Sequence, residues 1–205
     1  MKFKNRFALA ATAVAIAAVC APVSADTLKK VADSGKITIS YRESSVPFSY
    51  IAGAGKPVGF SMDLANAIVA EVKRQTNQPV LEVSYMPVTS QNRIPLLVNG
   101  TIDLECGSTT NNSTRAKDVA FAINHFYTGT RLLVKKSSGI KGYQDLAGKT
   151  IASTTGTTNA QVMRKYNQDK NLNMNLLMGK DHSDAMLLVD AGRPVAFAMD
   201  DVLLF

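Results

Sequence analysis

Apolar positions along this chain recur with two periods, and stretches of the two kinds alternate. Ile37, Ile39 and Tyr41 alternate with Thr38 and Ser40, the two-residue period of a half-buried strand. Phe60, Leu64, Ala65, Ile68, Val69 and Val72 then fall at helical spacing, and Asn77 and Pro79 close that element. Leu81 to Met86 alternates again. Ser90 is placed to cap a short helix carrying Ile94, Leu96, Leu97 and Val98, which Asn99-Gly100 stops. Ile102 to Cys106 reads as a third strand. After Val134 the plan restarts, with strands at Lys149 to Ser153, Met174 to Met178 and Val195 to Met199. Helices at Thr157 to Tyr166 and Ser183 to Ala191 separate them. The run from Ile94 to Gly100, followed by Ile102-Asp103, is echoed by Leu187 to Gly192 followed by Val195-Ala196.

Strands and helices alternating at these lengths predict α/β lobes with largely parallel sheets. The β-favouring segment from Phe126 to Val134 lies between the two halves and suits a hinge strand. Ligands of such lobes bind beyond the carboxyl ends of strands, where loops feed helix N-termini. The polar clusters fall in those places: Arg42 to Ser45, Thr89 to Arg93, Gly107 to Arg115, Ser153 to Asn159, and Asp181 to Asp184.

The first 25 residues have another character. Lys2, Lys4 and Arg6 precede an uncharged apolar run from Ala8 to Val19, and Val23-Ser24-Ala25 offers small residues for cleavage before Asp26. That run is shorter than the ~20 residues a membrane span needs. The expectation is an exported, soluble protein. Cys20 raises the alternative of a lipid anchor, although Val19 is not the small residue usual before a lipidated cysteine. Removing this segment leaves 20 Lys+Arg against 16 Asp+Glu, an excess of four. The basic residues are scattered, which speaks against a nucleic-acid or membrane face. Cys106 is then the single cysteine, either a free thiol or half of a pair whose partner is missing. At the other end, Asp200 to Phe205 reads as the opening of a helix with no stop signal, so the chain is expected to be interrupted there.

The clusters are rich in groups that hold carboxylates. Arginine's planar fork donates paired hydrogen bonds and keeps its charge. Arg42 follows a strand directly, Arg93 lies in the turn after Ser90, and Arg115 follows seven small polar residues. Ser108, Thr109, Thr110 and the Thr154 to Thr158 loop, with Gly156 at its turn, add hydroxyls and free backbone N–H groups. Each threonine is equally readable as an ordinary helix cap. Asp200 either faces an ammonium group or caps the next helix, and His182 either donates to a carboxylate or is a surface residue. Together these groups describe a cleft for a small dianionic amino acid. Gly-x-Ser-x-Gly, the phosphate-binding Gly-x-x-x-x-Gly-Lys loop and Gly-x-Gly-x-x-Gly are all absent from the sequence. Two histidines and one remaining cysteine give no metal-ligand spacing. Neither a cofactor nor an enzyme is expected.

Three stretches carry a resemblance: Arg42 to Tyr50, Ser90 to Leu97, and Glu105 to Asn112. They resemble the periplasmic glutamate/aspartate-binding proteins of ABC importers, which belong to the polar amino-acid solute-binding proteins. The likeness continues through Gly129 to Leu133, Gly156-Thr157-Thr158, Lys180-Asp181-His182 and Met199-Asp200-Asp201. It implies a type II periplasmic-binding-protein fold: two α/β lobes on a two-strand hinge that close on the ligand. On this chain it implies a first lobe at residues 26–128, a hinge strand at 129–133 and a second lobe at 134–205. Arg42, Ser90, Arg93, Ser108, Thr110 and Arg115 would be first-lobe contacts, with Arg115 on the α-carboxylate. Thr157, Thr158 and His182 would be second-lobe contacts, and Asp200 would take the α-ammonium. Cys106 would pair with a cysteine nearer the C-terminus, which this chain lacks, as it lacks the return through the first lobe. The implied partners are an acidic amino acid and the importer's permease subunits, with a monomeric full-length protein. A sensory receptor domain or a periplasmic dehydratase on the same fold is the alternative.

Overall fold

The computed structural model describes residues 26–53 and 55–204. The predicted export segment, with Cys20, and Phe205 lie outside them.

The chain opens on helix α1 (Thr27–Ser34), which Asp26 caps by accepting a hydrogen bond from the Lys29 backbone. Strand β1 (Lys36–Tyr41) follows, then a small antiparallel sheet, β2 (Ser44–Ser45), β3 (Ser49–Ala52) and β4 (Lys56–Val58). The hydrophobic pattern does not announce α1 or this sheet, because both are short, α1 is mostly exposed, and the buried strand residues of the sheet are the serines Ser45 and Ser49. Helix α2 (Phe60–Gln75) leads to β5 (Glu82–Pro87), α3 (Arg93–Val98) and β6 (Leu104–Glu105). β5, β1 and β6 form a parallel sheet with β1 in the centre, registered so that Tyr41 lies beside Pro87 and Ser40 beside Glu105.

Two expected features of this half are corrected. The third strand is two residues long rather than five. Asp103 bonds Thr38 through its side chain as well as its backbone and also pairs with Lys30, so it anchors β1 instead of extending a regular ladder. The buried stripe of α2 is Met62, Ala65, Val69 and Val72, whereas Phe60 and Ile68 are exposed. The helix is turned so that Phe60 joins Phe48 and His125, and Phe48 also meets Phe126. The core of this half joins that stripe to Val31, Ile37, Ile39 and Leu81.

The second half is built on β7 (Thr130–Val134), β8 (Thr150–Thr154), β9 (Asn175–Gly179) and β10 (Ala196–Asp200), in the order β7-β10-β8-β9. β8, β9 and β10 run parallel, while β7 is antiparallel to β10. Helices α4 (Thr158–Lys170) and α5 (His182–Asp190) cover opposite faces. The alternation along β10 shows how: Ala196 and Ala198 pack with Met163 of α4, and Phe197 and Met199 with Ala185 and Val189 of α5. α4 runs beyond the expected end at Tyr166, because Asn167 to Lys170 carry no apolar signal yet continue the backbone hydrogen bonding. Asn171 stops it in the left-handed conformation, φ 51°. Among the described residues no helix is long and apolar enough to cross a membrane.

Candidate functional site

Six strand ends deliver the candidate residues to one seam between the two halves. Arg42 follows β1, Ser90 and Arg93 follow β5, and Ser108 and Thr110 follow β6. Across the seam, Thr157 and Thr158 follow β8, His182 follows β9, and Asp200 ends β10. Ser90, Arg93, Ser108, Thr110, Thr157, Thr158, His182 and Asp200 line one shared space, together with Asn159 and Met199. The polar groups stand close together across it. Arg42 and Arg115 stand just outside that lining, at its back and its rim.

The halves touch through polar groups. The Thr110 and Thr158 hydroxyls lie 3.1 Å apart. Arg115 donates to the Thr110 carbonyl at 2.8 Å and, across the seam, to the Gly156 carbonyl at 3.1 Å. Arg42, fully buried, donates from Nη1 to Ser90 Oγ at 2.8 Å and from Nη2 to Asp181 of the opposite half. Gly156, at φ +79°, lies so close to Ser90 and Gln91 that a Cβ there would sit 2.6 Å from the Gln91 Cα. Glycine is required at this position both by its dihedral and by the close approach of the facing backbone.

Several donors in the seam have no acceptor. Arg93 is 2% exposed, and its Nε and Nη1 are unpartnered. Glu105 Oε1, at 3.9 Å from Nη1, is too far for a hydrogen bond. Burial pushes the Arg93 guanidinium down to about 9, partly offset by Glu105, so it remains charged at neutral pH. The buried His182 has Nδ1 on Thr154 Oγ1 at 2.9 Å and leaves Nε2 unpartnered. Burial and the nearby Arg42 and Arg93 push its pKa well below 6.5, which keeps the ring neutral. Its Nε2 serves as a donor in the tautomer where Thr154 donates to Nδ1. Burial also lowers Arg115 and raises Asp200, the latter against the pull of a hydrogen bond from Asn159.

The geometry decides some of the open readings. Ser90 is not the cap of α3: Asn92 precedes that helix and exchanges hydrogen bonds with Thr89, while Ser90 is turned inward to Arg42. Thr157 does cap α4, accepting from the Ala160 backbone at 3.1 Å. Asp200 does not cap the helical turn at Asp201–Leu204; the Asp201 side chain accepts from the Val202 backbone instead. The sequence pattern assigns no role to Asn159, Glu105 or Asp181. Asn159 is 1% exposed and bridges Asp200 Oδ1 (2.8 Å) and Thr130 Oγ1 (2.9 Å). The signal for it is modest: an asparagine directly after two threonines at a helix start. Cys106 is unpaired among the described residues, and burial pushes its thiol up to about 12.

Two α/β units whose strand-end loops face each other across a polar cleft define a ligand-binding protein of the type II periplasmic class. The chain belongs to the bacterial extracellular solute-binding proteins, family 3, whose model matches residues 37–192. It is 48% identical over 202 residues to the L-glutamate/L-aspartate-binding protein of Pseudomonas aeruginosa, covering 96% of this chain and 67% of the relative. It is 50% identical over 184 residues to the glutamate/aspartate import solute-binding protein of Escherichia coli, covering 90% of this chain and 61% of the relative. The chain thus spans 61 to 67% of the length of these relatives. Among solved structures, a mutant of ArgBP from T. maritima superposes with a TM-score of 0.76 at 27% identity, covering 86% of this chain and 73% of that one.

Proposed function

We propose that the cleft captures L-glutamate or L-aspartate outside the cytoplasm and that the protein delivers it to the permease subunits of an ABC importer. The observation that carries this reading is the set of buried, unpartnered donors on Arg93 and His182, with a carboxylate, Asp200, across the same space. Cations and N–H donors suit two carboxylates, and Asp200 suits the ammonium. Relatives at 48 and 50% identity are named for the same two amino acids. The reading takes Arg93, Arg115, Ser90, Ser108, Thr110, Thr157, Thr158 and His182 as carboxylate-side groups. Arg42 lies behind Ser90.

On the same reading, residues 26–128 form one lobe, 129–133 a hinge strand and 134–205 the second lobe. The protein is exported to the periplasm after cleavage before Asp26, acts as a monomer and binds rather than transforms its ligand. Equilibrium dialysis with labelled L-glutamate tests this. Displacement by L-aspartate but not by L-arginine or aromatic acids is expected; displacement by L-arginine at similar concentrations would contradict it.

A further inference from the structure

We propose that Asp181 is a positioning residue for closure: it carries, on the second unit, the counter-charge of the buried Arg42 of the first. The proposal rests on the reading of the seam as a dicarboxylate cleft that opens and closes. Arg42 already has one partner in its own unit, Ser90 Oγ, on Nη1. Its Nη2 meets Asp181 Oδ1, which comes from the N-cap of α5. A guanidinium removed from water needs a counter-ion, and one left without is costly. Closing the units supplies that counter-ion, and parting them returns Arg42 to water.

Asp181 is held in place independently of Arg42. Its Oδ1 accepts the His182 backbone N–H at 2.9 Å, and its own N–H donates to Asp184 Oδ2 at 3.2 Å. The carboxylate is therefore fixed by the first turn of α5, where a negative charge is also favoured by the helix dipole. Beside it the Ser183 backbone donates to Ser44 Oγ at 3.4 Å, so the contact belongs to a continuous stretch of the seam. The pair has a second effect. Because Ser90 Oγ accepts from Arg42, its own hydrogen is free to point toward a ligand.

Asp181→Asn tests this cleanly, since asparagine caps a helix about as well as aspartate but carries no charge. Ligand-free wild type and variant are compared by small-angle scattering, and their L-glutamate release by stopped flow. The variant is expected to have a larger radius of gyration and to release L-glutamate about tenfold faster or more, with unchanged far-ultraviolet circular dichroism. Adding Arg42→Gln to Asp181→Asn removes both charges and keeps the test open should the single variant misfold. It should add little further expansion, since both changes remove the same pair. Equal radii and equal release rates in wild type and Asp181→Asn would overturn the proposal, as would a double variant that expands well beyond Asp181→Asn. If the wild type does not bind L-glutamate at all, it is the proposed function that fails. The radii alone then decide the role of Asp181.

Discussion

Arg93 and Glu105 face each other at 3.9 Å inside the first unit, with Arg93 Nη1 and Glu105 Oε1 each lacking a hydrogen-bond partner. The carboxylate is near enough to help keep the guanidinium charged in a buried place but does not consume its donors. An underpartnered buried cation contributes little to the unliganded fold and much to an incoming anion.

Replacing Arg93 with methionine should therefore separate binding from stability. Measured in a Glu105→Gln background, which leaves no buried carboxylate without its counter-charge, the variant is expected to lose about 2–5 kcal/mol of L-glutamate affinity, while its ligand-free melting temperature stays level or rises. Calorimetry and a thermal melt on the same preparations check both. A variant that unfolds without ligand would assign Arg93 to the scaffold instead.

Gly156 sets how closely the two units approach. Its φ of +79° and the Gln91 backbone 2.6 Å from a built Cβ leave no room for a side chain. Gly156→Ala should cost about 1–2 kcal/mol in urea unfolding from its dihedral alone. It should also speed ligand release by holding the loops apart. Unchanged release kinetics would show that this contact does not limit closure.

His182 gives a pH dependence of definite sign. Its folded pKa lies well below the ordinary 6.5, so the unfolded chain takes up a proton that the folded one refuses. Stability should fall as pH drops through 6.5, by up to about 1.4 kcal/mol per pH unit from this residue. Urea midpoints at pH 7.5, 6.5 and 5.5 measure it, and His182→Asn should flatten that part of the slope. Parallel slopes in wild type and variant would mean the ring is not held neutral.

The two-unit α/β plan is legible in the sequence because strand and helix periods alternate clearly in β1, α2, β8, α4 and β10. Placing polar clusters at strand ends is then sufficient to bring eight of the ten candidate residues to one lining. The features that stay hidden have physical reasons. Ser90 resembles a cap because serine before a short helix usually is one, and only the fold shows Arg42 claiming its hydroxyl. Asn159 and Asp181 are polar residues at helix starts, where capping alone accounts for their presence. Their bonds to Asp200 and Arg42 span 41 and 139 residues of sequence. The orientation of α2 differs from its apolar pattern because Phe60 fits the helical stripe but packs with Phe48 and His125.

The central claim is that the cleft takes two carboxylates, and calorimetric titration of the purified chain with L-glutamate and L-glutamine tests it most directly. The amide keeps the size and the α-groups but gives the buried donors of Arg93 and His182 a neutral acceptor. Hydrogen bonds to charged partners are worth about 1.5–3 kcal/mol against about 1 kcal/mol for neutral ones. The account predicts that L-glutamate binds at least about tenfold more tightly than L-glutamine. Equal affinity for the two, or a preference for the amide, would contradict it.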